Sequence, residues 1–248
     1  MFRAALLTAL LSAGLYAGTV TVAVAANASY AMGELIRAFQ KSRPDTKFRT
    51  IVGSSGKLTA QIRHGAPYQI FLSADMDYPR ALYRSGEAIE PPRTYARGAL
   101  ALFAPKARDL SRGLTLLEDP SIRRIAVANP RTAPYGRAAK EALEHAGLWQ
   151  RLKERFVYGE SVAQTVAYAL RAADAGLIAK SALYSPKLRS FEEGRHWVEV
   201  DPSLYRPIEQ GVVLLRPGAG DREARAFYEY LLSPEAREIF RRYGYLQP

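Results

Sequence analysis

The chain of 248 residues is long enough for one large or two modest domains, and its 48% hydrophobic content supplies a proper core. It has no cysteine, which excludes disulfides, zinc–thiolate sites and cysteine nucleophiles together. The net charge of +11 would suit nucleic acid, yet the basic residues are scattered, Arg123-Arg124 and Arg241-Arg242 are the densest clusters, and no nucleic-acid motif is present, so a solvated basic surface is the expectation.

Met1-Phe2-Arg3 followed by an apolar or small run over 4–17 has the form of a secretory signal, with cleavage expected after Ala17. Residues 20–26 then read as a buried strand of a parallel sheet. The helical run after it places Met32, Leu35, Ile36 and Phe39 on one face. Residues 47–52 form a second predicted strand. It leads into Gly53-Ser54-Ser55-Gly56-Lys57-Leu58 and a helix ending near Gly65. A third strand is expected over 68–73 and a short helix over 78–85. Residues 90–95 are polar and proline-bearing, a candidate boundary. Residues 98–104 read as one strand stopped by Pro105, and 124–128 as another. The loop Ala133-Pro134-Tyr135-Gly136 opens a helix over 137–145. A short strand over 156–158 precedes a helix opened by Ser161, where Ser161 and Gln164 match a capping box. Residues 176–179 read as a buried strand, 185–197 as a polar surface excursion, and 198–200 as an edge pairing. An apolar strand over 208–215 and two helices over 221–232 and 233–243 complete the chain.

Strand–helix alternation of this kind predicts an α/β fold with right-handed crossovers. The order predicts two Rossmann-like α/β lobes with a ligand cleft between them. Lobe I comprises 18–94 and 206–248, lobe II 95–205, and 1–17 is the signal. Ligands of open α/β sheets bind beyond the carboxyl ends of the strands, and two such edges face to face make a cleft that can close by hinge motion.

Helix starts at Asn27-Ala28-Ser29, Ser54-Ser55, Ala133–Gly136 and Ser161-Val162 all carry small or polar residues, and several follow a predicted strand. Free N–H groups at a helix start attract anions without any positive side chain. If the four converge, their dipoles meet at one point and make an oxyanion clamp. Competing motifs are weaker. Ser54-x-x-Lys57 fits the S-x-x-K pattern of penicillin-binding enzymes, but the companion S-D-N and K-T-G motifs are absent. Gly53-x-x-Gly56-Lys57 is one gap too short for a P-loop. His64, His145 and His196 share no metal-ligand spacing, and Asp75 after its strand reads as a cap or turn former.

Several stretches in order carry a family resemblance. They are Ala25-Ala26-Asn27, Gly53-Ser54-Ser55-Gly56-Lys57-Leu58, Gln61-Ile62-Arg63-His64-Gly65-Ala66-Pro67, Phe71-Leu72-Ser73-Ala74-Asp75, Ala139-Lys140-Glu141-Ala142-Leu143, Ala226-Phe227-Tyr228-Glu229-Tyr230-Leu231 and Glu238-Ile239-Phe240-Arg241-Arg242-Tyr243-Gly244. With these the chain resembles the periplasmic molybdate-binding proteins of ABC importers over nearly everything after the signal. The resemblance implies a type II periplasmic-binding fold and a monomer. It implies a periplasmic protein that is not an enzyme, has no catalytic residue and no cofactor, and hands molybdate, and tungstate, to a membrane permease. By position it implies oxyanion contacts from Asn27, Ser55, Tyr135 and Val162, with Ala28 and Ser54 as secondary candidates. Molybdenum or tungsten would enter as the oxyanion, not as a free cation. Many members have a binding tyrosine where this chain has Ala179, so the phenol of Tyr135 is expected to supply that hydrogen bond. The alternatives are a binder of sulfate or phosphate, or a serine hydrolase using Ser54 and Lys57.

Overall fold

The computed structural model describes residues 18–248, so the signal-like stretch lies outside the described residues. The elements follow in the order β1 (Thr19–Ala25), α1 (Ser29–Gln40), β2 (Lys47–Gly53), α2 (Ser55–Arg63), β3 (Ile70–Leu72), α3 (Asp77–Arg84), β4 (Arg93–Gly98) and β5 (Leu100–Phe103). Next come β6 (Ile125–Ala128), α4 (Pro134–His145), α5 (Trp149–Leu152), β7 (Phe156–Gly159), α6 (Val162–Arg171), β8 (Ala175–Ala179) and β9 (Trp197–Glu199). The chain ends with β10 (Ile208–Leu214), α7 (Arg222–Tyr230) and α8 (Pro234–Arg242).

Two five-stranded sheets result, ordered β2-β1-β3-β10-β4 and β7-β6-β8-β5-β9. Each begins with a parallel trio, β2-β1-β3 in one lobe and β7-β6-β8 in the other. Each then adds an antiparallel strand, β10 or β5, and closes with an antiparallel edge strand, β4 or β9. The lobes therefore repeat one topology, and the chain crosses between them twice.

Strand periodicity explains how each sheet finds its helices. In β1, Val20, Val22 and Val24 point into the cluster under α1, α7 and α8, while Ala23 faces Leu58 and Ile62 of α2. In β6, Ile125 and Val127 join one core and Ala126 the other. A side chain period of two thus buries both faces of a strand under helices, as parallel sheets require.

Two sequence expectations change. Residues 98–104 are two strands, because β4 runs through Gly98 paired with β10, and β5 starts at Leu100 in the other sheet. The crossover falls at Ala99, whereas the sequence reading puts the lobe boundary between 94 and 95. Arg93, Thr94 and Arg97 leave β4 with a polar look because it is an edge strand, and only Tyr95, Ala96 and Gly98 are buried. The stretch over 185–197 is also less superficial than expected. Leu188 is fully buried, and Phe191 and Trp197 pack with it against Phe103.

Candidate functional site

Four loop-to-helix junctions meet at one small cavity, of about 10 Å³. Cavities for organic ligands run to about 300–1,000 Å³, so this one has no room for an organic ligand. Lobe I contributes Ala25, Ala26, Asn27, Ser54, Ser55 and Ala74, and lobe II contributes Ala133, Pro134, Tyr135 and Val162. Not one of these lining residues is charged.

The first junction follows β1. The Ala26 N–H donates to Gly53 O at 2.9 Å, and the Ala28 N–H donates to Ala25 O at 2.8 Å. The intervening Asn27 N–H meets no acceptor among the described residues. Its side chain is fully buried and does a different job. Nδ2 donates to Gln210 Oε1 and to Tyr245 Oη, both at 2.7 Å, and Oδ1 has no protein partner. Ala28 does not line the cavity.

The second junction opens α2. Ser54 is the extended N-cap, and its Oγ accepts the Lys57 N–H at 3.4 Å. Ser55 is the first helical residue, and its own N–H meets no acceptor among the described residues. Its Oγ accepts the Ala74 N–H at 2.9 Å. A hydroxyl that is already accepting keeps its proton to donate.

Lobe II supplies the other two. Ala133 caps α4 in an extended conformation with proline following at the first helical position. The Gly136 and Arg137 N–H groups both return to Ala133 O, at 2.9 and 3.1 Å, which leaves the Tyr135 N–H unpaired. Ser161 caps α6 by accepting the Gln164 N–H at 3.3 Å, and Gln164 Oε1 takes the Glu160 N–H at 2.7 Å. The reciprocal arm of the capping box thus reaches one residue further out than the pattern implies. The Val162 N–H remains free. Each helix carries partial positive charge at this end, so four N-termini place a concentrated positive potential in a cavity with no cationic side chain.

The phenol of Tyr135 is 2% exposed, and its hydroxyl has no partner among the described residues. It lies against Gly98, where a Cβ would stand only 2.1 Å from it. Burial pushes its pKa well above the ordinary tyrosine value, with the neighbouring Tyr245 and Tyr95 adding to the shift. It is therefore a neutral donor at any physiological pH. Ala179, at the end of β8, pairs with Leu100 and stands outside the cavity lining.

Bonds across the cleft hold the lobes together around the cavity. The Gly56 N–H donates to Thr132 O at 3.0 Å, and Ser181 Oγ donates to Asn27 O at 3.2 Å. Lys57 Nζ pairs with Glu160 Oε2 at 2.5 Å on one rim, and Arg137 pairs with Asp75 on another. The Lys57 ammonium is thus committed to the opposite lobe, and the Lys57 N–H rather than its amine meets Ser54. That arrangement gives Ser54 no general base. Among the described residues no group of three His, Asp or Glu side chains could hold a metal ion.

Sequence reasoning did not anticipate Gln210, Tyr95, Tyr245 or Ser181, which form a buried polar layer behind the Asn27 loop. The legible signal was Gln210 itself, a long polar side chain beside a glycine at the head of the apolar run 212–214.

A family model described as bacterial extracellular solute-binding protein matches residues 20–246. The molybdate-binding protein ModA of Rhodobacter capsulatus is 37% identical over 93% of this chain and 89% of its own length. The protein of the same name from Azotobacter vinelandii is 36% identical over 95% of this chain and 93% of its own. A solved periplasmic molybdate-binding protein from Azotobacter vinelandii superposes with a TM-score of 0.84 at 31% identity, over 92% of this chain and 99% of that one. All of these names are of binding proteins, which agrees with a site that has donors but no reacting group, and none indicates a cofactor. The chain belongs to the bacterial extracellular solute-binding protein family, with molybdate-binding proteins among its relatives.

Proposed function

We propose that the protein captures molybdate, and tungstate with it, in the interlobe cavity and delivers the ion to an ABC importer from the extracytoplasmic side. The observation that carries this reading is the convergence of four unpaired N–H groups, from Asn27, Ser55, Tyr135 and Val162, on one small uncharged cavity. A dianion held by neutral donors loses its water without being trapped by a counter-charge. Reversible release to a permease needs that balance.

The Ser55 hydroxyl adds a donor, since the Ala74 N–H occupies one of its lone pairs and leaves its proton to give. Ser54 serves chiefly as the cap that keeps α2 aimed at the anion. The names of the relatives support molybdate as the ligand, and the extracellular family supports export of the chain and work in the periplasm. Sulfate and phosphate share the charge range but differ from molybdate in size, so cavity dimensions set the discrimination. Molybdate and tungstate are nearly equal in size, and the cavity offers nothing to tell them apart.

Calorimetric titration of the protein lacking residues 1–17, with molybdate, tungstate, sulfate and phosphate in one buffer, tests the assignment. One-to-one binding of the first two with silence from the others is expected. Preference for sulfate or phosphate would keep the family and overturn the ligand.

A further inference from the structure

Gln210 is buried completely, makes no part of the cavity wall, and yet binds both anion loops of lobe I. Its Nε2 donates to Ala74 O at 3.3 Å and to Ile208 O at 3.1 Å. Those two carbonyls fix the amide orientation, because a flipped amide would set oxygen against oxygen. Oε1 is then obliged to face Asn27, whose Nδ2 donates to it at 2.7 Å. The same carbonyl takes the Tyr95 hydroxyl at 3.4 Å.

The consequence runs one bond further on each side. Ala74, held through its carbonyl by Gln210, donates its N–H to Ser55 Oγ. Asn27, held through its amide, lies in the turn whose own N–H is free. One side chain therefore sets the position of two donor groups that belong to different loops. Gln210 also stands at the register shift of β10, beside Gly211, which interrupts the pairing with β4 that begins at Ile208.

We infer that Gln210 is the positioning residue of the anion site, acting through Asn27 on one loop and through Ala74 and Ser55 on the other. The inference rests on the proposed oxyanion function for its affinity readout, and on the ligand-free protein for a second one.

Gln210→Glu provides the decisive test. The neutral acid can donate to Ala74 O while accepting from Asn27, so it reproduces the wild-type arrangement. The carboxylate cannot donate, and it also sets a negative charge behind the anion loops. The titratable groups facing this position are Tyr95, Tyr135 and Tyr245, all pushed upward by burial and neutral through the range used. The nearby Asp75 carboxylate is paired with Arg137. Molybdate affinity of Gln210→Glu is expected to fall at least tenfold between about pH 5.5 and about pH 8.5, while the wild type stays within about twofold.

Gln210→Met keeps the length and removes every hydrogen bond, so its affinity is expected to drop by about tenfold or more with a flat pH profile. Amide hydrogen exchange at Ala74 in the anion-free protein is expected to quicken in both variants at about pH 8.5 relative to wild type. Wild-type affinity in both variants, or a loss in Gln210→Glu that ignores pH, would overturn the positioning role. If the wild-type protein binds no oxyanion, the proposed function falls, and exchange at Ala74 still decides whether Gln210 holds the loop.

Discussion

Ser55 Oγ accepts the N–H of Ala74 at 2.9 Å, across the gap between the start of α2 and the end of β3. That bond uses the serine oxygen as an acceptor and leaves its proton to donate elsewhere. Ser55→Ala removes the proposed donor to the anion and leaves the Ala74 N–H without its serine partner. Affinity for molybdate is expected to weaken by ~1.5–3 kcal/mol, the worth of a hydrogen bond to a charged group. Calorimetry on the variant checks it. A loss below about twofold would show that the hydroxyl does not meet the ligand.

Ser54→Ala should behave differently. It removes an N-cap, for which ~1 kcal/mol of stability is the ordinary cost. The melting temperature is expected to drop while the affinity changes less than in Ser55→Ala. Equal losses of affinity in the two variants would make Ser54 a direct donor.

Tyr135→Phe separates a ligand contact from a packing role. The hydroxyl is buried with no partner, and an unsatisfied polar atom costs folding energy. The anion-free variant is expected to melt at the same temperature as wild type or higher. If the phenol meets the anion, binding weakens by ~1–3 kcal/mol in the same variant. An unchanged dissociation constant would mean that Tyr135 contributes only its backbone N–H.

The rim ion pairs are unequal. Lys57 and Glu160 have side chains 52% and 53% exposed, so their pair is worth only ~0–1 kcal/mol. Glu160→Gln is expected to change affinity by less than about fivefold, with most of that change lost at high salt. Arg137 and Asp75 are 29% and 13% exposed, and Asp75 also accepts the Tyr78 N–H at 3.2 Å. Arg137→Met strands a half-buried carboxylate and is expected to lower the melting temperature more than Glu160→Gln does. Thermal melts of both variants in one buffer give the comparison.

Alkaline stability follows from the tyrosines. Burial raises Tyr30 from 10.0 to about 12, and Tyr228 likewise to about 12 with Glu90 adding to the effect. Between these values and the ordinary one, the unfolded chain loses protons that the folded chain keeps. The unfolded state then binds fewer protons, so stability falls as pH rises. The full contribution is present below about pH 10 and is lost progressively up to about pH 12. Melting curves across that interval should shift downward, and Tyr30→Phe should shift less.

Much of the fold could be read from hydrophobic period. Strand β6 is apolar throughout and β1 departs from that only at Thr19 and Thr21, and the helices after them show one apolar face each. The edge strand β4 escaped because it pairs along its length only with β10 and meets Leu246 by a single bridge at Arg97, so Arg93, Thr94 and Arg97 disguise it. The four loops that line the cavity were legible as helix starts with small residues. Their supporting layer was not, because Gln210, Tyr245 and Ser181 lie 183, 218 and 154 positions from Asn27, and no local pattern ties them to it.

Ala25, Ala26 and Ala74 of lobe I belong to the same buried apolar cluster as Val127, Ala133 and Val162 of lobe II. Parting the lobes would wet that shared patch, so the closed arrangement is held by apolar burial as well as by the bonds across the cleft.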